Sequence, residues 1–330
     1  MRFNLKLILI IMLSLIFLGL LGGLYIYIKR PVTNLFFEDP RLKEGVSEFL
    51  DEVRDAKENG FKIDKQSPVS LRAIFYATII NKMFLQENMK ERIDVEAMFD
   101  RIRSHYVSPG YYVEEGENPV FTTAKALSID IQYQEDLDQE IDLNWLKENS
   151  LENKDLEPIK LDPEYQHAVI QIYKLLGMPD KVKELSVPFL NYYCNFQTPE
   201  DISDKEFIRQ RAYQIAIIHL LGKMYRSPES CLNQKDAEAT KERLSKIQFS
   251  DLDNMEEVFY LCHLKLFFRA MSLKDEEFGN VFRTTEDFYS GGAFKEYLSD
   301  QEPNLIGTHY AVKLIMQFYY KYIINAPIEI

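Results

Sequence analysis

Two kinds of segment alternate along this chain. LKEGVSEFLDEVRDAKENG (42–60) and KDAEATKERLSKI (235–247) are polar with one apolar stripe. SLRAIFYATIINKMF (70–84) and THYAVKLIMQFYYKY (308–322) are apolar nearly all round. A helix with one apolar stripe lies on a surface, and one that is apolar all round is covered on most sides. Alternating Val/Ile/Thr runs bounded by hairpin turns do not occur, so the pattern predicts an all-α protein.

The alternation has a period. Six covered-type segments align on Ala77, Ala126, Ala168, Ala216, Leu261 and Ala311, at intervals of 42 to 50 residues. Each interval holds one amphipathic helix, a turn, one apolar helix and a second turn. Ser108-Pro109-Gly110, Asp162-Pro163, Ser227-Pro228 and Gly291-Gly292 mark turns between them. A hairpin alone would expose its apolar helix, so the six must gather into an open superhelix or a closed ring.

Ahead of the repeats, Leu7 to Ile28 carries no charged residue. As a helix it would span roughly 33 Å, enough to cross a bilayer core. Arg2 and Lys6 precede it, and Lys29 and Arg30 follow. The stretch is long for a signal peptide and no small-x-small cleavage pattern follows, which predicts an uncleaved signal-anchor. The expected organisation is a membrane anchor over 1–30, a linker over 31–40 and the helical domain over 41–330. The short basic tail suits the cytoplasmic side, placing the large domain outside a cell membrane. Gly19 and Gly23 form a Gly-x-x-x-Gly pair that would let two copies approach as a homodimer; an ordinary Gly-containing span is the alternative.

Composition narrows the function classes. With 39 Lys+Arg against 52 Asp+Glu, the formal net charge is −13. Nucleic-acid binding needs a basic footprint to replace phosphate counterions, so no nucleic-acid partner is expected. A polyanionic ligand is disfavoured for the same reason. Three Cys are too few for a disulfide framework. No Walker, dinucleotide or Gly-x-Ser-x-Gly fingerprint is present, and neither a cofactor nor a metal is expected.

Two repeats carry a resemblance. YSGGAFKEYLSDQEPNLIGTHYAVKLI (289–315) and YVSPGYYVEEGENPVFTTAKALSI (106–129) share a Gly-rich turn with an aromatic, a polar loop, Pro, and then an inner helix. Both resemble the repeat of the prenyltransferase and squalene-cyclase superfamily. That resemblance implies an (α/α)6 toroid of six hairpins with a central cavity. The zinc pattern of the protein prenyltransferases has no match, because Tyr260 stands where an Asp-x-Cys ending at Cys262 would need Asp. The Asp-x-Asp-Asp run of proton-initiated cyclases resembles Asp251-Leu252-Asp253-Asn254. Carried over, it makes Asp253 a general acid with Asp251 as its partner. Crowded carboxylates between dry walls raise a pKa as that role requires. The other reading is helix capping by Asp253 or Asn254, with Glu256 and Glu257 in the first turn.

One further pattern is aromatic. Tyr76, Tyr165, His167, Tyr213, Tyr260, His309 and Tyr310 stand near the starts of the apolar helices. On a ring they converge at one mouth, either as packing between neighbours or as a pocket for an apolar or peptidic ligand. The expectation is thus a membrane-anchored binding module, with an isoprenoid cyclase or prenyltransferase-like enzyme as the alternative.

Overall fold

Caps set where the apolar helices begin. Ser70, Asp162, Asn254 and Asn304 each accept a hydrogen bond from a free N–H in the first turn that follows. The computed structural model describes residues 34–324, apart from 109, 134–136, 138–139, 154, 200 and 223–230.

The chain opens with α1 (Leu35–Glu38) and α2 (Pro40–Glu52), then a ribbon of β1 (Arg54–Asp55) and β2 (Gly60–Phe61). Next come α3 (Leu71–Ile80), α4 (Val95–Ser104) and a second ribbon, β3 (Tyr106–Val107) with β4 (Tyr111–Tyr112). The middle is helical: α5 (Pro119–Tyr133), α6 (Leu143–Glu148), α7 (Pro163–Leu175), α8 (Pro179–Tyr193) and α9 (Asp204–Gly222). After α10 (Gln234–Lys246), α11 (Met255–Phe267) and α12 (Glu276–Asp287), β5 (Tyr289–Ser290) pairs with β6 (Ala293–Phe294). The last helix is α13 (Leu305–Leu314), which runs on as wider π turns to Ile324.

The helices α3, α5, α7, α9, α11 and α13 pack side by side in that order, and α13 returns to α3. All six aligned positions, from Ala77 to Ala311, fall on these inner helices. Outside them, α8 lies against α7 and α9, while α10 and α12 lie against α11. Outer helices are one-sided: α2 buries Leu42, Val46, Phe49 and Leu50 and turns its charges to water.

Close backbone contact seals the circuit. Gly292 has a positive φ of 96°, and a side chain there would meet the Gly45 carbonyl of α2 at 2.9 Å. At Gly307 an added Cβ would lie 2.0 Å from the Lys295 carbonyl oxygen. The Leu305 N–H donates to the Ile63 carbonyl (2.8 Å) and the Met255 N–H to the Glu296 carbonyl (2.9 Å). The start of the last inner helix is thus tied to the segment ahead of the first, and the loop before it to the start of the fifth.

Several expectations are corrected. An all-helical class led by a transmembrane helix does not describe this structure. Among the described residues no helix is long and apolar enough to cross a membrane. Even the apolar α13 and its continuation carry Lys313 and Lys321. Leu7–Ile28, with Gly19 and Gly23, lies outside the described residues. The single-pass membrane localisation is withdrawn with that helix. Mostly helical is the right description, with three antiparallel two-stranded ribbons between the helices.

The 31–40 segment is also more than a linker. From Leu35 it forms α1, whose Phe37 is buried in the core. The Tyr319 hydroxyl accepts from the Asn34 N–H (2.7 Å) and donates to the Asn34 carbonyl (2.8 Å). Cys194 and Cys231 form a disulfide, and Cys262 is a buried free thiol.

Candidate functional site in the ring interior

Tyr76, Tyr260 and Tyr310 each stand five residues past the first residue of their inner helix. Equal register on neighbouring helices brings equal positions together, and the rings follow one another around the interior. Tyr76 of α3 packs on His309 of α13 at 4.9 Å between centroids, and His309 on Tyr310 at 5.1 Å. Tyr310 meets Tyr260 of α11 at 5.7 Å, and Tyr260 meets Tyr213 of α9 at 5.5 Å. His167 of α7 completes the run against Tyr213 at 5.6 Å. Six of the seven residues singled out in the sequence thus form one chain across five helices. Tyr165 does not join it. Only two residues into α7, it turns outward, donates to Asn149 Oδ1 (2.6 Å) and packs edge-on against Phe121.

The phenols make a polar thread along this wall. Tyr260 donates to the Tyr213 hydroxyl (2.9 Å), and Tyr310 donates to Glu256 Oε1 (2.5 Å). Burial raises the phenol of Tyr76 to about 12 and those of Tyr213, Tyr260 and Tyr310 well above the ordinary value. The Glu256 charge adds to each rise. It also acts on Glu164 of α7 and Lys313 of α13. One carboxylate on α11 that reaches α3, α7, α9 and α13 sits inside the ring.

Charge is sorted by depth. Near the starts of the inner helices lie Glu164, Glu256, Glu257 and the loop residue Glu296, with Arg72 and Arg209 among them. Burial raises the pKa of Glu164, Glu257 and Glu296. Arg209 bridges Asp162, Glu164 and Glu206. Deeper along α13, the Lys313 ammonium lies over the rings of Phe259 (5.2 Å) and Tyr310 (5.6 Å). Burial lowers the Lys313 pKa. It also pushes His167 and His263 down to about 4 and His309 well below its ordinary value. These imidazoles are neutral at pH 7.

The carboxylates carried over from the cyclase motif are elsewhere. The side chain of Asp253 is 59% exposed and ion-paired with Lys205 at 2.5 Å. The hydrogen bond from Lys205 lowers its pKa, the reverse of what a proton donor needs. Asp251 ends a short 3-10 turn and is exposed. The cap is Asn254, whose side chain accepts from the N–H groups of Glu256 (2.8 Å) and Glu257 (3.4 Å). Cys262 is fully buried while its neighbour His263 packs toward Phe318, so the two diverge.

Sequence reasoning missed the charged half of the interior. Glu256 and Glu164 look like ordinary first-turn acids. The usable signal was a lone cation in an apolar run: Arg72 in LRAIFYATII and Lys313 in LIGTHYAVKL. No family model matches the chain, and no curated protein matches it.

Proposed function

We propose that the protein is a binding module that holds an apolar organic ligand inside the ring of inner helices. The observation that carries this reading is the unbroken aromatic chain from Tyr76 to His167 across five helices. Large rings supply contact area at low entropic cost, and phenols and neutral imidazoles add polar handles that orient a ligand. The net charge of −13 argues against a polyanion.

The test is calorimetric titration of the full chain with 1-decanol. Saturable binding is expected, with Tyr260→Ala and Tyr310→Ala each weakening it tenfold or more. Glu238→Ala and Glu242→Ala, on the exposed face of α10, should leave it unchanged. Absence of saturable binding, or indifference to the two tyrosines in folded variants, overturns the proposal.

A further inference from the structure

Lys313 has no ion-pair or hydrogen-bonding partner among the described residues, although burial makes an uncompensated charge costly. Its surroundings are two aromatic faces and three neutral imidazoles, those of His167, His263 and His309. Glu256 is the acid that acts on it, and Glu256 is already engaged by the Tyr310 hydroxyl. One turn back on α13, at i−4, His309 is 4% exposed and its Nδ1 lacks any partner. One helix thus carries a buried, unpartnered imidazole nitrogen and, one turn on, a half-buried ammonium without an ion pair.

A pocket of about 620 Å³ opens between α7 and α9, on the side of the ring that His167 reaches. Its walls include His167, Gln171, Lys174, Val182, Ala216 and His219. That volume suits a small organic molecule. His167 links the pocket to the interior: it lines the pocket, packs on Tyr213, and feels the charges of both Lys313 and Lys174. The carboxylates Glu164, Glu256 and Glu296 gather toward the starts of the inner helices, whereas Lys174 stands near the end of α7. This end of the interior is the cationic one.

Resting on the binding reading above, we propose that the ligand is an apolar monocarboxylate whose head group serves as the counter-ion of Lys313. Its hydrocarbon body would lie along the aromatic wall, and the imidazole of His309 would offer the head group a second polar contact. A single negative charge is matched here by a cation that makes no ion pair among the described residues and feels Glu256 only through space. A multiply charged head would meet the repulsion of Glu256.

A head-group series tests this on the full chain. Decanoate, decyl phosphate, 1-decanol and decyltrimethylammonium are titrated separately into the wild type, Lys313→Met and Lys313→Arg. Decanoate is expected to bind at least tenfold tighter than 1-decanol and tighter than decyl phosphate. Lys313→Met should bring the affinities for decanoate and 1-decanol to within about twofold of each other, and Lys313→Arg should restore most of the preference for decanoate. Equal binding of decanoate and 1-decanol, a preference for phosphate or ammonium, or a preference that survives in Lys313→Met overturns the inference. The wild-type series decides even where the Met variant does not fold. Binding of 1-decanol without any head-group preference sinks only the anionic assignment. Failure of every probe sinks the binding reading as well.

Discussion

Asn254 and Asp253 are neighbours with different work. Asn254 satisfies two free N–H groups of α11, whereas Asp253 reaches into water toward Lys205. Asn254→Ala should cost about 1 kcal/mol in urea unfolding. Asp253→Asn should change stability by less than about 1 kcal/mol, because exposed pairs contribute little. The interior histidines give a pH signature. His167 and His263 titrate near 4 in the folded chain, against about 6.5 when unfolded. Between those values the unfolded chain binds more protons, so stability is full above about pH 6.5 and falls as pH drops toward about 4. Glu164, Glu257 and Glu296 oppose this, since carboxyls with raised pKa stabilise the fold when protonated at low pH. Urea midpoints at pH 7 and pH 5 should therefore differ, and His167→Gln should shrink the difference. A variant as pH-sensitive as the wild type would remove His167 from this explanation.

At the scale of elements, the apolar helices were legible because their boundaries are local. Ser70 and Asn304 cap where a polar residue precedes an apolar run, and the aligned small residues mark each inner face. The aromatic wall was legible for a related reason: Tyr76, Tyr260 and Tyr310 share one register. Tyr165 stands apart from that run because it sits three residues earlier in its helix, almost a full turn, and bonds Asn149 instead. The ribbons were not legible, since strands of two residues cannot show alternation. Nor was the Cys194–Cys231 bond, which joins residues 37 apart that nothing local pairs. Closing a loop of that length should stabilise the chain by about 4 kcal/mol on the chain-entropy view. Reductant should lower the urea midpoint accordingly, and thiol titration of the oxidised native protein should find Cys262 unreactive. At the ring seam, Gly307→Ala drives a Cβ into the Lys295 carbonyl. It should destabilise by about 3 kcal/mol in the same assay, because backbone on both sides must shift.

Across the whole molecule, the same closure that buries the core creates the interior. Six inner helices leave their seventh neighbour to be each other's side chains, and those are tyrosines, imidazoles and a few charges rather than aliphatic groups alone. A purely structural core would not need Lys313 and an unpartnered His309 in its middle. The charged interior was hidden in the sequence because first-turn acids such as Glu164 and Glu256 have an ordinary capping explanation. Only the ring brings acids from different repeats within reach of one another. The claim that this interior receives an apolar ligand is tested most directly by photolabelling the full chain with an aliphatic diazirine alcohol and mapping the labelled peptides. Labels should concentrate on the inner helices at Tyr76, Tyr213, Tyr260, Tyr310 and Glu256, and excess 1-decanol should suppress them. Labels confined to outer helices such as α10 and α12, or unaffected by competitor, would contradict it.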